Sequence, residues 1–202
     1  MTQAGNAPQQ PHVTFNAPTV LFFVAGCFVA TLIGQLTAGK STLLLFATYR
    51  SSLVNPLTYV RLFTHVLGHS TWEHLLGNMI YVLLLGPLLE EKYGSRTLIE
   101  VIAITAFVTG LINSVFFPNQ ALCGASGVCF AFILLSSLTS FREGEIPLTF
   151  ILVTVLFIGQ EIVQGVFVND NISNLTHVIG GMIGAVVGFS MQGTGEQGRF
   201  GR

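Results

Sequence analysis

An all-α membrane protein built on six transmembrane helices is the fold class this sequence predicts, and three observations predict it. Hydrophobic residues make up 51% of the 202 positions and charged residues only 8%, against about 25% charged in ordinary globular domains. Mean hydropathy is +0.70. The apolar residues also fall into six runs, divided by polar or glycine-containing stretches. Residues 1–18 contain no Lys or Arg and are rich in Gln, Pro and Asn. A secretory leader would begin with a basic stretch, so we expect a disordered tail. Residues 19–191 form one membrane domain, and the polar, glycine-rich residues 192–202 form a flexible C-terminal tail.

The expected spans are 19–37, 74–89, 97–116, 126–139, 148–167 and 176–191. A helix needs about 20 apolar residues to cross a bilayer, because lipid leaves every backbone polar group to be satisfied within the helix. The second and fourth runs are short, as for helices that start below the membrane surface beside a water-filled cavity. Residues 39–73 make a long connection of mixed polarity that must have ordered structure of its own. The turns around Gly94, Asn119, Arg142 and Asp170 are brief. With the N-terminus inside, the cytoplasmic side carries Lys92, Arg96, Arg142, Arg199 and Arg202, against Lys40, Arg50 and Arg61 opposite. We therefore expect both termini to be cytoplasmic.

The net charge of −1 supplies no cationic excess to neutralise phosphates, which sets nucleic acid aside as a partner. Cys27, Cys123 and Cys129 lie in or beside apolar runs, where a thiol acts as a small hydrophobe. The stretch from Gly34 to Ser41 fits the phosphate-binding pattern GxxxxGK[ST], but an apolar span precedes it where that motif needs a strand. Gly39 and Lys40 are better read as a helix C-terminus.

Gly124-Ala125-Ser126-Gly127 sets one serine among small residues inside an apolar run. Alone, such a serine usually bonds a backbone carbonyl and its neighbours permit close helix packing. Valine at 128 rules out a GxSxG elbow. A catalytic reading needs a base, and His177 opens the last span, an ionisable group in a costly place. Gly180, Gly184 and Gly188 follow it at helical spacing, a face that would let this helix approach another closely enough to bring His177 to Ser126. Acyl transfer also needs donors for the developing oxyanion. His74 and Asn78, four residues apart on one helical face, can both donate, and the start of the fourth helix adds backbone N–H groups beside Ser126. Asp170 lies in a turn seven residues before His177, so a Ser–His dyad is expected rather than a triad.

Taken in order, Arg61, Thr64, His65 and His69, the run His74-Leu75-Leu76-Gly77-Asn78-Met79, Glu90 with Gly94, Gly124-Ala125-Ser126-Gly127, and His177 with Gly180 and Gly184 resemble the rhomboid family of intramembrane serine proteases, over residues 19–191. The resemblance implies Ser126 as nucleophile, His177 as general base, and His74, Asn78 and the Ser126 amide as the oxyanion site. Gly124, Gly127, Phe130, Gly180 and Gly184 would support them. It also implies a first loop partly embedded in the outer leaflet and braced by Arg61, a site opening to the non-cytoplasmic face, no metal or cofactor, and transmembrane segments of other proteins as substrates. Three positions depart from the family pattern. Val60 precedes Arg61 where tryptophan is common, Phe130 stands where many relatives have a tyrosine that stacks on the histidine, and Thr176 precedes His177 where alanine is frequent.

Other polar groups have simpler readings. His65, His69 and His74 could share a metal, but no HExxH is present and the resemblance makes the first two hydrogen-bonders of the loop. Glu161 fits a hydrogen-bonded interior role, and Glu90 a contact at a helix end. Asn171 and Asn174 match a glycosylation pattern, yet a glycan so close to His177 would crowd the site. Two other functions remain open: a non-catalytic relative that binds or chaperones membrane helices, and a small transporter using Glu161 with the three histidines.

Overall fold

The computed structural model describes residues 15–138, together with 148, 151, 152, 155, 179–182, 184, 186 and 190. Helix α1 (Pro18–Leu36) begins one residue before the expected tail boundary, because proline suits the first helical position, where its missing N–H would have no partner. Its N-cap, Ala17, offers no capping side chain. The acceptor comes from far along the chain: the Glu90 carboxylate accepts the Thr19 and Val20 amides at 2.9 and 3.0 Å and the Ser95 hydroxyl at 2.6 Å. An anion at the positive end of the helix dipole reinforces the joint.

At its other end α1 closes on the Gly39 amide, which donates to the Gly34 carbonyl at 2.8 Å with Gly39 left-handed at φ 81°. Lys40 then opens a short helix, α2 (Lys40–Leu45). The GxxxxGK[ST] stretch is thus the end of α1, a turn over residues 37–39 and the start of α2, so Gly39 and Lys40 open a helix rather than close one as expected. Helix α3 (Pro56–Thr64) is capped by Asn55, whose side chain accepts from the Leu57 amide, and runs into a 3₁₀ turn over His65–Leu67. The long connection is ordered, as expected. Arg61 is buried in it, over the Tyr49 ring at 4.3 Å, and donates to the Tyr49 hydroxyl at 2.5 Å and to Ser51 Oγ at 2.8 Å. The missing tryptophan therefore leaves the arginine anchored, with Tyr49 supplying the ring.

Helix α4 (Trp72–Phe116) contains two of the expected spans, broken at Gly94, whose φ of 82° and ψ of 156° lie outside the helical region. Its first half is longer than the short span 74–89 expected from apolar residues alone. Thr71 caps it by accepting the His74 amide at 3.1 Å, and the polar residues Glu90, Glu91 and Lys92 carry the helix on to Gly94. The halves run in opposite directions. Glu90 and Ser95 meet at the start of α1, while His74 lies against Gly124 and Thr109 against His65, both by the loop.

Helix α5 (Ser126–Leu138) is the hub. Val128, Phe130, Ala131, Phe132 and Leu135 are fully buried, as in a helix that is apolar all round and enclosed by others. The first half of α4 turns Leu76, Ile80, Leu84 and Leu88 outward, each at least 60% exposed. Such a stripe suits lipid rather than water, and α1 and α4 are long and apolar enough to cross a membrane. Among the described residues there is no strand, only an isolated antiparallel bridge between Thr48 and Leu122.

The described positions of the last helix explain its glycines. A Cβ on Gly180 would collide with Thr109, one on Gly184 with Thr105, and one on Gly181 with the Phe130 ring. The pairs 180 with 109 and 184 with 105 step in opposite senses, so this helix runs antiparallel to the second half of α4. The Gly180–Gly184 face is a close-packing face, as its spacing predicts.

Candidate active site

The surroundings of Ser126 are built from three pieces of chain. The connection 117–125 is pinned first: Thr48 and Leu122 exchange backbone hydrogen bonds at 2.9 Å, and the Asn113 amide donates to the Thr48 and Gln120 carbonyls at 3.2 and 3.1 Å. The Gly124 amide then donates to the His65 carbonyl at 2.9 Å. Gly124 has φ 127°, a left-handed value that favours glycine, and an added Cβ would lie 2.7 Å from His74 Nε2. Backbone conformation and close approach both demand glycine there.

His74 and Asn78 converge on that point from α4. Ser70 Oγ lies 3.4 Å from His74 Nδ1. With the serine hydroxyl donating, the ring proton sits on Nε2, the nitrogen facing Gly124. Asn78 is buried, and its Nδ2 would lie 3.7 Å from a Cβ on Gly124. That Nδ2 has no hydrogen-bond partner among the described residues. A buried donor without an acceptor is costly, and its presence calls for an explanation. The Cys129 thiol donates to the Asn78 backbone carbonyl at 3.3 Å and reaches Oδ1 at 3.6 Å.

Ser126 is half-buried and is the first residue of α5, so its amide belongs to the turn that lacks intrahelical acceptors. Ala125 before it is held by His69, whose Nε2 accepts the Ala125 amide at 3.3 Å while Nδ1 donates to the Leu67 carbonyl at 3.1 Å. This pair of partners requires a neutral ring. Burial, with the neighbouring His74 ring 5.0 Å away, pushes the His69 pKa down to about 4. Burial does the same to His65, also to about 4. His65 Nδ1 donates to the Arg61 carbonyl and Nε2 meets Thr109 Oγ1, each at 3.1 Å. Every ring nitrogen of His65 and His69 is engaged within the protein, which leaves neither free to share a metal with His74.

Of the residues expected to form a site, Gly124, Ser126, His74 and Asn78 are brought together, with Gly127 and Phe130 buried on the same helix as Ser126. His177, Glu161, Asp170, Asn171, Asn174 and Gly188 lie outside the described residues. Sequence reasoning missed Cys129 as a partner of Asn78, although its position three residues after Ser126, on the same face of α5, was a signal. It also missed Asn113, whose role depends on a loop 65 residues away in sequence.

A family model described as a rhomboid domain matches residues 56–193. Among curated relatives, the rhomboid protease GlpG of Serratia proteamaculans is 27% identical over 174 residues, covering 85% of this chain and 62% of the relative. The rhomboid protease GluP of Bacillus subtilis is 29% identical over 172 residues, covering 82% of this chain and 32% of the relative. Rhomboid-related protein 2 of Mus musculus is 28% identical over 160 residues, covering 69% and 53%. The chain thus spans less than two thirds of the length of each of these relatives.

Proposed function

The chain belongs to the rhomboid family, and on that premise we propose that it is a serine-type intramembrane endopeptidase that cuts peptide bonds in or near transmembrane segments of other proteins. One observation carries the reading. Phe130 and Gly181 pack against each other, and they stand four residues after Ser126 and His177 respectively. Helix α5 and the last helix both run antiparallel to the second half of α4, so they run parallel to each other. One helical turn back from a parallel contact, the same faces meet again, which supports a Ser126–His177 dyad.

Ser126 Oγ attacks the scissile carbonyl while His177 takes its proton, and His177 then protonates the leaving amine. His74 Nε2, Asn78 Nδ2 and the Ser126 amide stabilise the oxyanion, and water hydrolyses the acyl-enzyme. Gly124 and Gly127 keep the start of α5 open, Phe130 supports the histidine, and Gly180 and Gly184 let the last helix close in. The chemistry uses no metal or cofactor. The domain is a six-span bundle over residues 19–191, with Pro18 joined to it as the first residue of α1, an N-terminal tail before that helix and a C-terminal tail (192–202). Both termini are cytoplasmic, and water reaches the site from the opposite face. The embedded loop is supported by Leu53, Val54, Tyr59, Val60 and Phe63, all large apolar side chains exposed in or beside α3. A substrate helix enters laterally between the second and fifth spans, where it must unwind to present an extended bond.

The test is fluorophosphonate labelling of the purified protein, with cleavage of a panel of single-span substrates. Ser126→Ala should abolish labelling and cleavage alike, and His177→Ala should remove most cleavage. Cleavage that survives in Ser126→Ala would sink the assignment.

A further inference from the structure

Asn78 raises a question that its neighbours answer. The residue is 8% exposed, it turns Nδ2 toward Gly124, and that nitrogen has no partner among the described residues. The terminal torsion of an asparagine is soft, so an unpartnered amide in an apolar setting should rotate toward any available acceptor. Something must hold it. The only described side chain bonded to Asn78 is Cys129, which reaches both its backbone carbonyl and Oδ1.

We propose that the Cys129 thiol is a positioning residue of the oxyanion site, holding the Asn78 amide so that Oδ1 faces the sulfur and Nδ2 faces Gly124, two residues before Ser126. This rests on the reading of Asn78 as an oxyanion donor. The S–H group is a weak donor whose one proton is shared between the Asn78 backbone carbonyl at 3.3 Å and Oδ1 at 3.6 Å, but here it need only favour one orientation of the amide over its flip, which would turn NH₂ toward the thiol. The arrangement also ties donor to nucleophile through one turn of helix. Cys129 and Ser126 are three residues apart on α5 and share a face, so the element that carries the attacking oxygen also holds the group that receives the resulting charge. A thiol serving only as a small hydrophobe would be replaced by valine without consequence.

The experiment measures kcat and KM for the full-length protein on a cleaved single-span substrate, for wild type, Cys129→Val, Cys129→Ser, Asn78→Ala and Cys129→Val/Asn78→Ala. Valine fills the site, at the cost of slightly more bulk than cysteine, and loses the donor. It should lower kcat about 3- to 10-fold, as expected for one hydrogen bond, and move KM by less than about twofold, because an oxyanion donor acts in the transition state. Serine should restore at least about half of the lost kcat, since it regains the donor. The double variant should be no slower than Asn78→Ala alone, because the thiol has nothing left to position. Wild-type kcat in Cys129→Val, or losses that multiply in the double variant, would overturn the proposal. If the valine variant fails to fold, Cys129→Ala takes its place in the same cycle with the same expected outcomes. The dyad stands or falls separately: cleavage by Ser126→Ala refutes the enzyme, whereas an inert Ser126→Ala with an unaffected Cys129→Val refutes only the thiol's role.

Discussion

The two ends of the first half of α4 treat their buried polar groups in opposite ways. At the Gly94 end, the Glu90 carboxylate is saturated by two amides and a hydroxyl. At the loop end, Asn78 Nδ2 has no acceptor among the described residues. Both residues are buried on one helix, so burial alone does not distinguish them. The satisfied group locks α1 to α4 and leaves nothing for a substrate to use. The unsatisfied donor adds nothing to stability where it stands, and acquires a purpose only when an oxygen arrives to accept from it. An unmet atom does not by itself mark a site, since Asn113 Oδ1 and Arg61 Nε are also buried without a partner among the described residues, in groups that anchor the loop; what sets Asn78 apart is that its donor faces Gly124 beside Ser126.

Substitutions at the two ends should separate along that line. The largest effect on cleavage is expected from Gly124→Ala, which strains the backbone at φ 127° and drives a methyl group into His74. Turnover should fall by roughly 100-fold or more, with the donors displaced from the oxyanion position, as measured by initial rates. Asn78→Ala should cost roughly 10- to 100-fold in kcat, less than a sole donor because His74 and the Ser126 amide remain. Its thermal unfolding temperature should stay close to wild type, since the lost amide had an unmet donor. Glu90→Ala should do the reverse, leaving the Thr19 and Val20 amides without an acceptor at a cost of roughly 2–3 kcal/mol in unfolding. Cleavage per folded molecule should not change. A Glu90 variant that cleaves poorly while fully folded, or an Asn78 variant whose main defect is stability, would break the distinction.

The last effect concerns pH. His65 and His69 have folded pKa values lowered from 6.5 to about 4, so between those values the unfolded chain binds more protons than the folded one. Stability should be full above about pH 6.5 and decline as pH falls toward 4. Thermal unfolding across that window should show the slope, and His69→Asn should reduce it. A flat profile for the wild type would contradict a buried, neutral His69.

Much of the first half of the chain was legible from sequence. The apolar runs located α1 and both halves of α4, and Gly94 was visible as the turn between them. Where the reading fell short, the cause was non-local. The first half of α4 outruns its apolar residues because Thr71 caps one end and Glu90 is recruited by α1 at the other, and no pattern within 74–89 reports either. The sequence around Val60-Arg61 carries no sign of the loop's anchor, because the ring that Arg61 meets is Tyr49, twelve residues earlier. In the site, the spacing of His74 and Asn78 gave their shared face directly. Cys129 looked like one more small apolar residue, because nothing in α5 alone reveals which carbonyl its thiol faces.

Gly94 has a mechanical consequence. From there to His74 is 20 residues of helix, roughly 30 Å at about 1.5 Å per residue, with Pro87 inside it and the near end joined to α1 through Glu90. If this half of α4 pivots at Gly94 as one body, a tilt of about 5° over that length swings its far end by nearly 3 Å. His74 and Asn78 ride on the moving end. Any tilt that widens a lateral opening there also carries the two donors off Gly124, so such a gate would stand open with its oxyanion site disassembled and would have to shut before the bond is cut.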